Sequence, residues 1–175
     1  MTKLPAFLEV LADFDGRRKE TFEEVAMVLR RAGQLPPSKR GRGAAAVNDR
    51  MAANLVLAAM ADAPPSACPR AVQLYRSLWQ SPGRRTGTPL PSLNPVLGCA
   101  TFGEAVEVLL SQGLKIREDL LRVLTSAYPN VPEDQVMNLR ALELELVVSR
   151  PWPSARLIVR GLDPNDASAV LVVAQ

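Results

Sequence analysis

The chain has 175 residues, of which 47% are hydrophobic and 22% are charged, with 21 Lys and Arg residues against 18 Asp and Glu. This composition is typical of a folded globular protein and excludes a chain that is disordered by default, because enough apolar side chains are present to bury a core. The sequence contains no histidine, which excludes catalysis, metal binding and pH switching through an imidazole of this chain. The length excludes a large enzyme, and the absence of histidine excludes the commonest hydrolase triads.

Two amphipathic helices are predicted at the start of the chain. The first runs from Leu4 to Phe14, where apolar residues recur at helical spacing, and Asp15-Gly16 ends it. The second begins at Thr21, which forms a Thr-x-x-Glu capping box with Glu24, and Gly33 supplies a left-handed stop. Both helices present one apolar face for packing.

Two more helices complete a predicted bundle of about four helices over residues 1–80. Asn48 or Asp49 caps the third helix, which continues until Pro64-Pro65 ends it. The fourth is predicted from Ala67 to Gln80. Its predicted packing side consists of Ala71, Leu74, Tyr75, Leu78 and Trp79.

Residues 81–100 are rich in proline and glycine, show no hydrophobic period, and are interpreted as a linker. A second capping box, Thr101 with Glu104, predicts the start of the next helix. Gly113 is expected to divide that helix from another one. The third region, residues 101–175, therefore opens with helices.

The hydrophobic period changes to two near the end of the chain, which predicts strands. Three strands are expected, at Leu139 to Ser149, Ala155 to Arg160 and Ala169 to Ala174, forming an antiparallel meander. Glu143 and Glu145 are expected to meet Arg156 or Arg160 across the first pair. The predicted fold class is α+β, with an N-terminal, helix-turn-helix-like helical bundle followed by helices and this meander.

A basic loop is the clearest functional signal in the sequence. From Gln34 to Val47, prolines and glycines exclude regular structure. Between Arg30 and Arg50 the chain has six basic residues and one acid, a local charge of +5 within a total of +3. Such concentration predicts a polyanion partner, and glycines beside the cations allow close approach to a phosphate backbone.

Enzymatic and cofactor chemistry is not supported by any motif. No phosphate-binding glycine loop or nucleophile motif is present, and the paired carboxylates fit helix starts and solvated strands. Cys68 and Cys99 do not complete a metal site. The first ten residues do not read as an export signal, so we expect reduced cysteines and a cytoplasmic protein. The expectation is a protein that is not an enzyme and takes no cofactor and no metal.

The helices on either side of the basic loop have the size of a helix-turn-helix pair, but the gap between them is about 14 residues and the second helix is mostly apolar. Two alternatives stay open: the region is an elaborated helix-turn-helix, or the loop itself, and not the helix, enters a groove of DNA. The candidate nucleic-acid-binding residues are Arg30, Arg31, Lys39, Arg40, Arg42, Asn48, Arg50 and Asn54.

The tract from Val28 to Ala61, with its Arg-x-Ala-Gly, Gly-Arg-Gly and Ala-Ala-Asn-Leu segments, resembles small helical proteins of prophages and gene-transfer-agent-like clusters of alphaproteobacteria. The resemblance covers residues 1–80. It implies a phage-type DNA-binding or regulatory protein, in which Lys39, Arg40, Arg42 and Arg50 match the basic loop and helix start. The C-terminal meander is not covered by it.

The competing hypothesis is a non-enzymatic accessory or inhibitory protein that binds a host or phage protein. Trp152, between two prolines, is a candidate partner-binding anchor. The last predicted strand is apolar on both faces and invites pairing with a second chain. A homodimer is therefore expected under either hypothesis, with duplex DNA as the partner under the first.

Overall fold

The structure is a computed structural model that describes residues 2–37, 46–79, 91–132, 135, 142–149, 154–161 and 170–172. The chain divides into two compact units, Met1–Ser77 and Leu78–Gln175. Within the described residues it is mostly helical, with a small antiparallel sheet near the C-terminus. The predicted combination of helices and an antiparallel sheet is confirmed at this level.

The regular elements of unit 1 in its described residues are all helices. Its elements are α1 (Leu4–Asp15), α2 (Lys19–Arg31), α3 (Asp49–Met60), a 3-10 helix (Pro65–Ala67) and α4 (Cys68–Arg76). The four helices predicted for this region are present. The fourth is shorter than predicted, because it begins at Cys68 after the 3-10 helix and ends at Arg76.

Two glycines end the first two helices as the sequence predicts. Gly16 has a φ of 80°, and its amide donates to the carbonyl of Ala12 at 2.8 Å. After α2, Gly33 has a φ of 73°, and the Gln34 amide reaches back to the Leu29 carbonyl at 2.9 Å. This pairing is a Schellman motif, which satisfies carbonyls that the helix end leaves open.

The predicted capping box at Thr21 is wrong. Helix α2 begins two residues earlier, at Lys19, and the Thr21 amide donates to the Arg18 carbonyl at 3.1 Å, so Thr21 lies inside the first turn. The residue before the helix is anchored by the fold. Arg17 binds the Asp15 carboxylate and the Ala59 carbonyl, which fixes the chain immediately before the helix.

Helix α3 is the most buried element of unit 1. Its buried residues are Met51, Ala52, Ala53, Asn54, Leu55, Leu57, Ala58 and Ala59. It packs against α2 and α4, in which Phe22, Leu29 and Val72 are fully buried. Predicting Leu74 on the packing side of α4 was wrong, because the spacing of Cys68, Val72 and Tyr75 turns Leu74 toward solvent.

Unit 2 begins with helices that include part of the predicted linker. Its helices are a 3-10 helix (Pro91–Leu93), α5 (Asn94–Leu97), α6 (Phe102–Ser111) and α7 (Gly113–Ala127). Leu93 and Val96 are each 1% exposed and pack in the same core as Ala105, Ile116 and Leu120. The linker prediction is therefore wrong for residues 91–97. This segment is too short for its apolar residues to show a hydrophobic period. The rest of the predicted linker up to residue 90 lies outside the described residues.

The predicted helix boundaries of unit 2 are confirmed. The Glu104 amide donates to Thr101 Oγ1 at 3.3 Å, and the Thr101 amide donates to Glu104 Oε2 at 3.2 Å. This is a complete capping box. Gly113 begins α7, and only Gln112 separates it from the end of α6 at Ser111.

The prediction that Trp79 lies on the packing side of the fourth helix is wrong. Trp79 belongs to unit 2 and is exposed.

An antiparallel hairpin follows, formed by β1 (Leu142–Ser149) and β2 (Ser154–Gly161). The register places Glu143 opposite Arg160, as one of the predicted cross-strand pairs requires. Residues Val170–Val172 lie antiparallel to β2. This three-residue pairing does not establish the predicted three-stranded meander, which stays a prediction.

Candidate nucleic-acid interface

The basic loop is anchored to unit 1 at both of its ends, and the candidate interface is built from those ends. Lys39, Arg40 and Arg42 lie outside the described residues. At the entry, Leu35 is buried, and the Gln34 side chain donates from Nε2 to the Pro69 carbonyl at 2.8 Å. The chain thus leaves α2 from a fixed position.

The exit of the loop pairs with the beginning of the chain. Ala46 forms an antiparallel bridge with Lys3, and the Val47 amide donates to the Thr2 carbonyl at 2.9 Å. Asn48 then caps α3, where its Oδ1 accepts from the Met51 amide at 2.9 Å. Asn48 remains exposed, but one of its polar atoms is occupied by this structural role.

Two hydrogen bonds set the relative direction of α2 and α3. Arg17, just before α2, donates from Nη2 to the Ala59 carbonyl at 2.6 Å. Asn54, in the middle of α3, donates from Nδ2 to the Gln34 carbonyl just after α2, at 2.7 Å. These contacts set the helices in opposite senses, so the carboxyl end of α2 and the amino end of α3 lie toward the same end of unit 1.

Four of the predicted site residues share that end, which we call the basic end: Arg30, Arg31, Asn48 and Arg50. Arg30 is half-buried, whereas Arg31, Asn48 and Arg50 are exposed. Arg31 also contacts the Met27 sulfur at 3.5 Å through Nη2. Arg30 and Arg31 occupy the last turn of α2, where cations favour the helix dipole. The basic end therefore presents guanidinium groups on both sides of the loop.

The prediction that Asn54 reaches base edges is wrong. Its residue surface is 2% exposed, and its Oδ1 accepts from Arg76 Nη1 at 2.9 Å while its Nδ2 is used on the Gln34 carbonyl. Both polar atoms of the amide are therefore occupied inside unit 1. Asn54 falls three residues after Met51 and four before Ala58, which are buried on the same core-facing side.

The burial of α3 limits which of its residues a duplex could reach. Asp49 and Arg50, in the first turn, are its only exposed residues. A recognition helix needs an exposed face along several turns, and α3 has no such face beyond its first turn. The alternative in which the loop itself enters a DNA groove falls on residues outside the described part and stays a prediction.

Sequence reasoning missed the Arg17 side chain, which joins three parts of unit 1. Its guanidinium binds both carboxylate oxygens of Asp15 and the Ala59 carbonyl, and it lies 5.0 Å from the Phe22 ring centroid. The hydrogen bonds from Arg17 lower the pKa of Asp15 below its ordinary value. The Asp-x-Arg spacing around Gly16 is a sequence signal for the contact between Asp15 and Arg17. No sequence signal indicates the contact between Arg17 and Ala59.

The remaining candidates do not form a second site in the described part of the chain. Trp152, the predicted partner-binding anchor, lies outside the described residues. Neither Cys68 nor Cys99 forms a disulfide, and burial, followed by Glu104 and Glu107, raises the pKa of Cys99. The described residues contain no group of three or more Cys, Asp or Glu side chains placed to hold a metal. Within the same ranges no helix is long and apolar enough to cross a membrane.

No family model, no curated protein and no solved structure matches the chain. The functional argument therefore depends on the residues of the basic end and on their chemistry.

Proposed function

We propose that the chain is a phage-type, non-enzymatic regulatory protein that contacts duplex DNA through its basic loop and the adjacent start of α3. The observation that supports this proposal is the position of the carboxyl end of α2, with Arg30 and Arg31, and of the amino end of α3, with Arg50, toward the same end of unit 1. Three further cations, Lys39, Arg40 and Arg42, belong to the intervening sequence. Duplex DNA carries a dense, regular negative charge that matches such a concentration.

Binding of this kind depends chiefly on the phosphate backbone. Each lysine or arginine that neutralises a phosphate releases condensed counterions, so affinity falls as salt rises. The candidates for base contact are few, because Asn54 is buried and Asn48 already uses its Oδ1 to cap α3. Arg50 is the exposed side chain in the first turn that suits a guanine edge.

The test is a salt series on random duplex DNA with the intact protein. Replacing Lys39, Arg40 and Arg42 together by alanine is expected to make the slope of log K against log salt shallower by about 2 to 3 units. A matched control removes three exposed cations elsewhere: Arg18, Lys115 and Arg117. The proposal is wrong if the loop variant keeps the wild-type slope, or if the control loses as much of it.

The proposal includes a C-terminal part that completes a three-stranded meander and pairs two chains as a homodimer. The apolar run from Ala169 to Ala174 supports it, because a strand that is apolar on both faces requires cover on both. Two basic loops in one dimer would raise affinity through effective concentration. Light scattering tests this part: a monomer at high micromolar concentration contradicts it.

A second candidate function, binding to a host or phage protein, is favoured by one surface of α1. Phe14 is 93% exposed and Val10 is 64% exposed, one helical turn apart. Glu9 and Asp13, both exposed, lie on the neighbouring side of the same helix. An apolar pair beside carboxylates suits a basic amphipathic helix of a partner protein.

A synthetic basic amphipathic helical peptide is the probe for this second candidate. It is expected to bind the intact protein, and Phe14→Ser is expected to weaken that binding at least tenfold. Leu114→Ser is the control, because Leu114 is an exposed apolar residue of unit 2. Equal peptide affinity for all three proteins contradicts this candidate without affecting the DNA proposal.

A further inference from the structure

We propose that Lys3 is a further phosphate contact of the DNA interface, carried to the basic end by pairing between the beginning of the chain and the loop exit. The proposal rests on the DNA-binding function. It extends that function to a residue separated by 43 positions from its bridge partner, Ala46. The experiment below separates its failure from failure of the DNA-binding proposal itself.

The backbone of Lys3 is held on two sides. Lys3 bridges Ala46, and the neighbouring Thr2 carbonyl accepts from the Val47 amide at 2.9 Å. On the other side, the Lys3 carbonyl accepts from the Phe7 amide at 3.1 Å, which begins α1. The residue itself is exposed. A fixed backbone and a solvated ammonium are what a backbone phosphate contact requires.

The charge of Lys3 does not serve the helix that follows it. A cation at a helix amino terminus opposes the helix dipole, and the first turn of α1 contains no acid to compensate. Lys3 therefore carries a positive charge where helix stability favours a negative one. A negatively charged ligand bound at this place accounts for a lysine at this position.

The charge at the basic end is not balanced by acids. With Lys3 included, the basic end presents four cations in the described residues, against one acid, Asp49. The amino end of α2 is mixed in charge by comparison, because Arg18 and Lys19 adjoin Glu20 and Lys19 pairs with Glu9 at 3.3 Å. A local surplus of cations suits a polyanionic ligand.

The test measures random duplex affinity across a salt series for the intact protein and its Lys3 variants. Lys3→Met keeps an apolar stem and removes the charge, and it is expected to make the salt slope shallower by about 1 unit, equally for different DNA sequences. Lys3→Arg is expected to keep the wild-type slope. Arg18→Ala, an exposed cation just before α2 and away from the basic end, is expected to change nothing.

The outcomes separate the two proposals. If Lys3→Met keeps the wild-type slope while the loop variant loses 2 to 3 units, Lys3 is not a contact and the DNA proposal stands. If neither variant changes the slope, both proposals are wrong. Circular dichroism on each variant verifies the fold, and a loss of helix in Lys3→Met that Lys3→Arg also shows would overturn the contact in favour of a structural role for Lys3.

Discussion

Removing the side chain of Asn54 is expected to destabilise unit 1 strongly. The amide of Asn54 joins three segments, because it donates to the Gln34 carbonyl at 2.7 Å and accepts from Arg76 Nη1 at 2.9 Å. In Asn54→Ala the Gln34 carbonyl and the Arg76 guanidinium lose their hydrogen bonds to the Asn54 amide. Water cannot easily replace that amide, because residue 54 is 2% exposed in the wild type. The loop entry then also loses one of its anchors on α3.

The magnitude follows from the two hydrogen bonds. A neutral hydrogen bond contributes about 1 kcal/mol and one to a charged group about 1.5 to 3 kcal/mol. The expected loss in free energy of unfolding is therefore about 3 kcal/mol. With a urea m-value of about 1 to 3 kcal/mol per molar, the unfolding midpoint falls by about 1 to 3 M.

The assay is urea unfolding of the intact protein followed by circular dichroism, with hydrogen exchange at the amides of α3. Arg76→Ala is expected to be destabilising as well, and Arg70→Ala is its matched control because Arg70 is exposed on the same helix. A double-mutant cycle on Asn54 and Arg76 is expected to give a coupling of at least about 0.5 kcal/mol. Additive effects, or an Asn54→Ala midpoint equal to that of the wild type, would refute this reasoning.

The remaining predictions concern a helix cap and an acid-sensitive ion pair. Thr101→Ala is expected to lower the free energy of unfolding by about 1 kcal/mol, because its hydroxyl caps α6; Thr21→Ala, which removes no cap, is expected to stay within about 0.5 kcal/mol of wild type in the same urea assay. Arg17 lowers the pKa of Asp15, so the stability that this carboxylate provides is full above its unfolded pKa and is lost as pH falls through the lowered folded value. In thermal melts Asp15→Asn should therefore be less stable than wild type near neutral pH and approach it in acid, and a constant difference would contradict this.

Local sequence signals predicted much of the fold. Gly16 and Gly33 end helices at positive φ, Asn48 caps α3, and Thr101 forms its capping box, because each of these features depends on residues only a few positions apart. The alternation that predicted a hairpin is likewise local. The Thr21 capping box and the packing side of α4 are exceptions, because these local patterns also occur at positions where the fold uses them differently.

Several of the wrong predictions have non-local causes. The start of α2 depends on Arg17, whose carbonyl partner Ala59 is 42 residues away. Asn54 is a polar residue at a core position, and its partners are 20 and 22 residues away. Lys3 meets the loop exit only through the fold. A hydrogen bond between distant segments changes the role of a residue without changing its sequence pattern, and the candidate site was affected most because it lies where three segments meet.

The burial of α3 limits the kind of DNA binding that the proposed function allows. Direct readout of sequence needs several side chains that reach base edges, each good bidentate pair discriminating by about 1 to 3 kcal/mol. Helix α3 exposes Asp49 and Arg50 in its first turn and buries the side chains that follow. Phosphate contacts from the basic end position a protein without reading bases. Selectivity in the proposed function therefore depends on the loop, on deformation of the duplex, or on the spacing of two copies in a dimer.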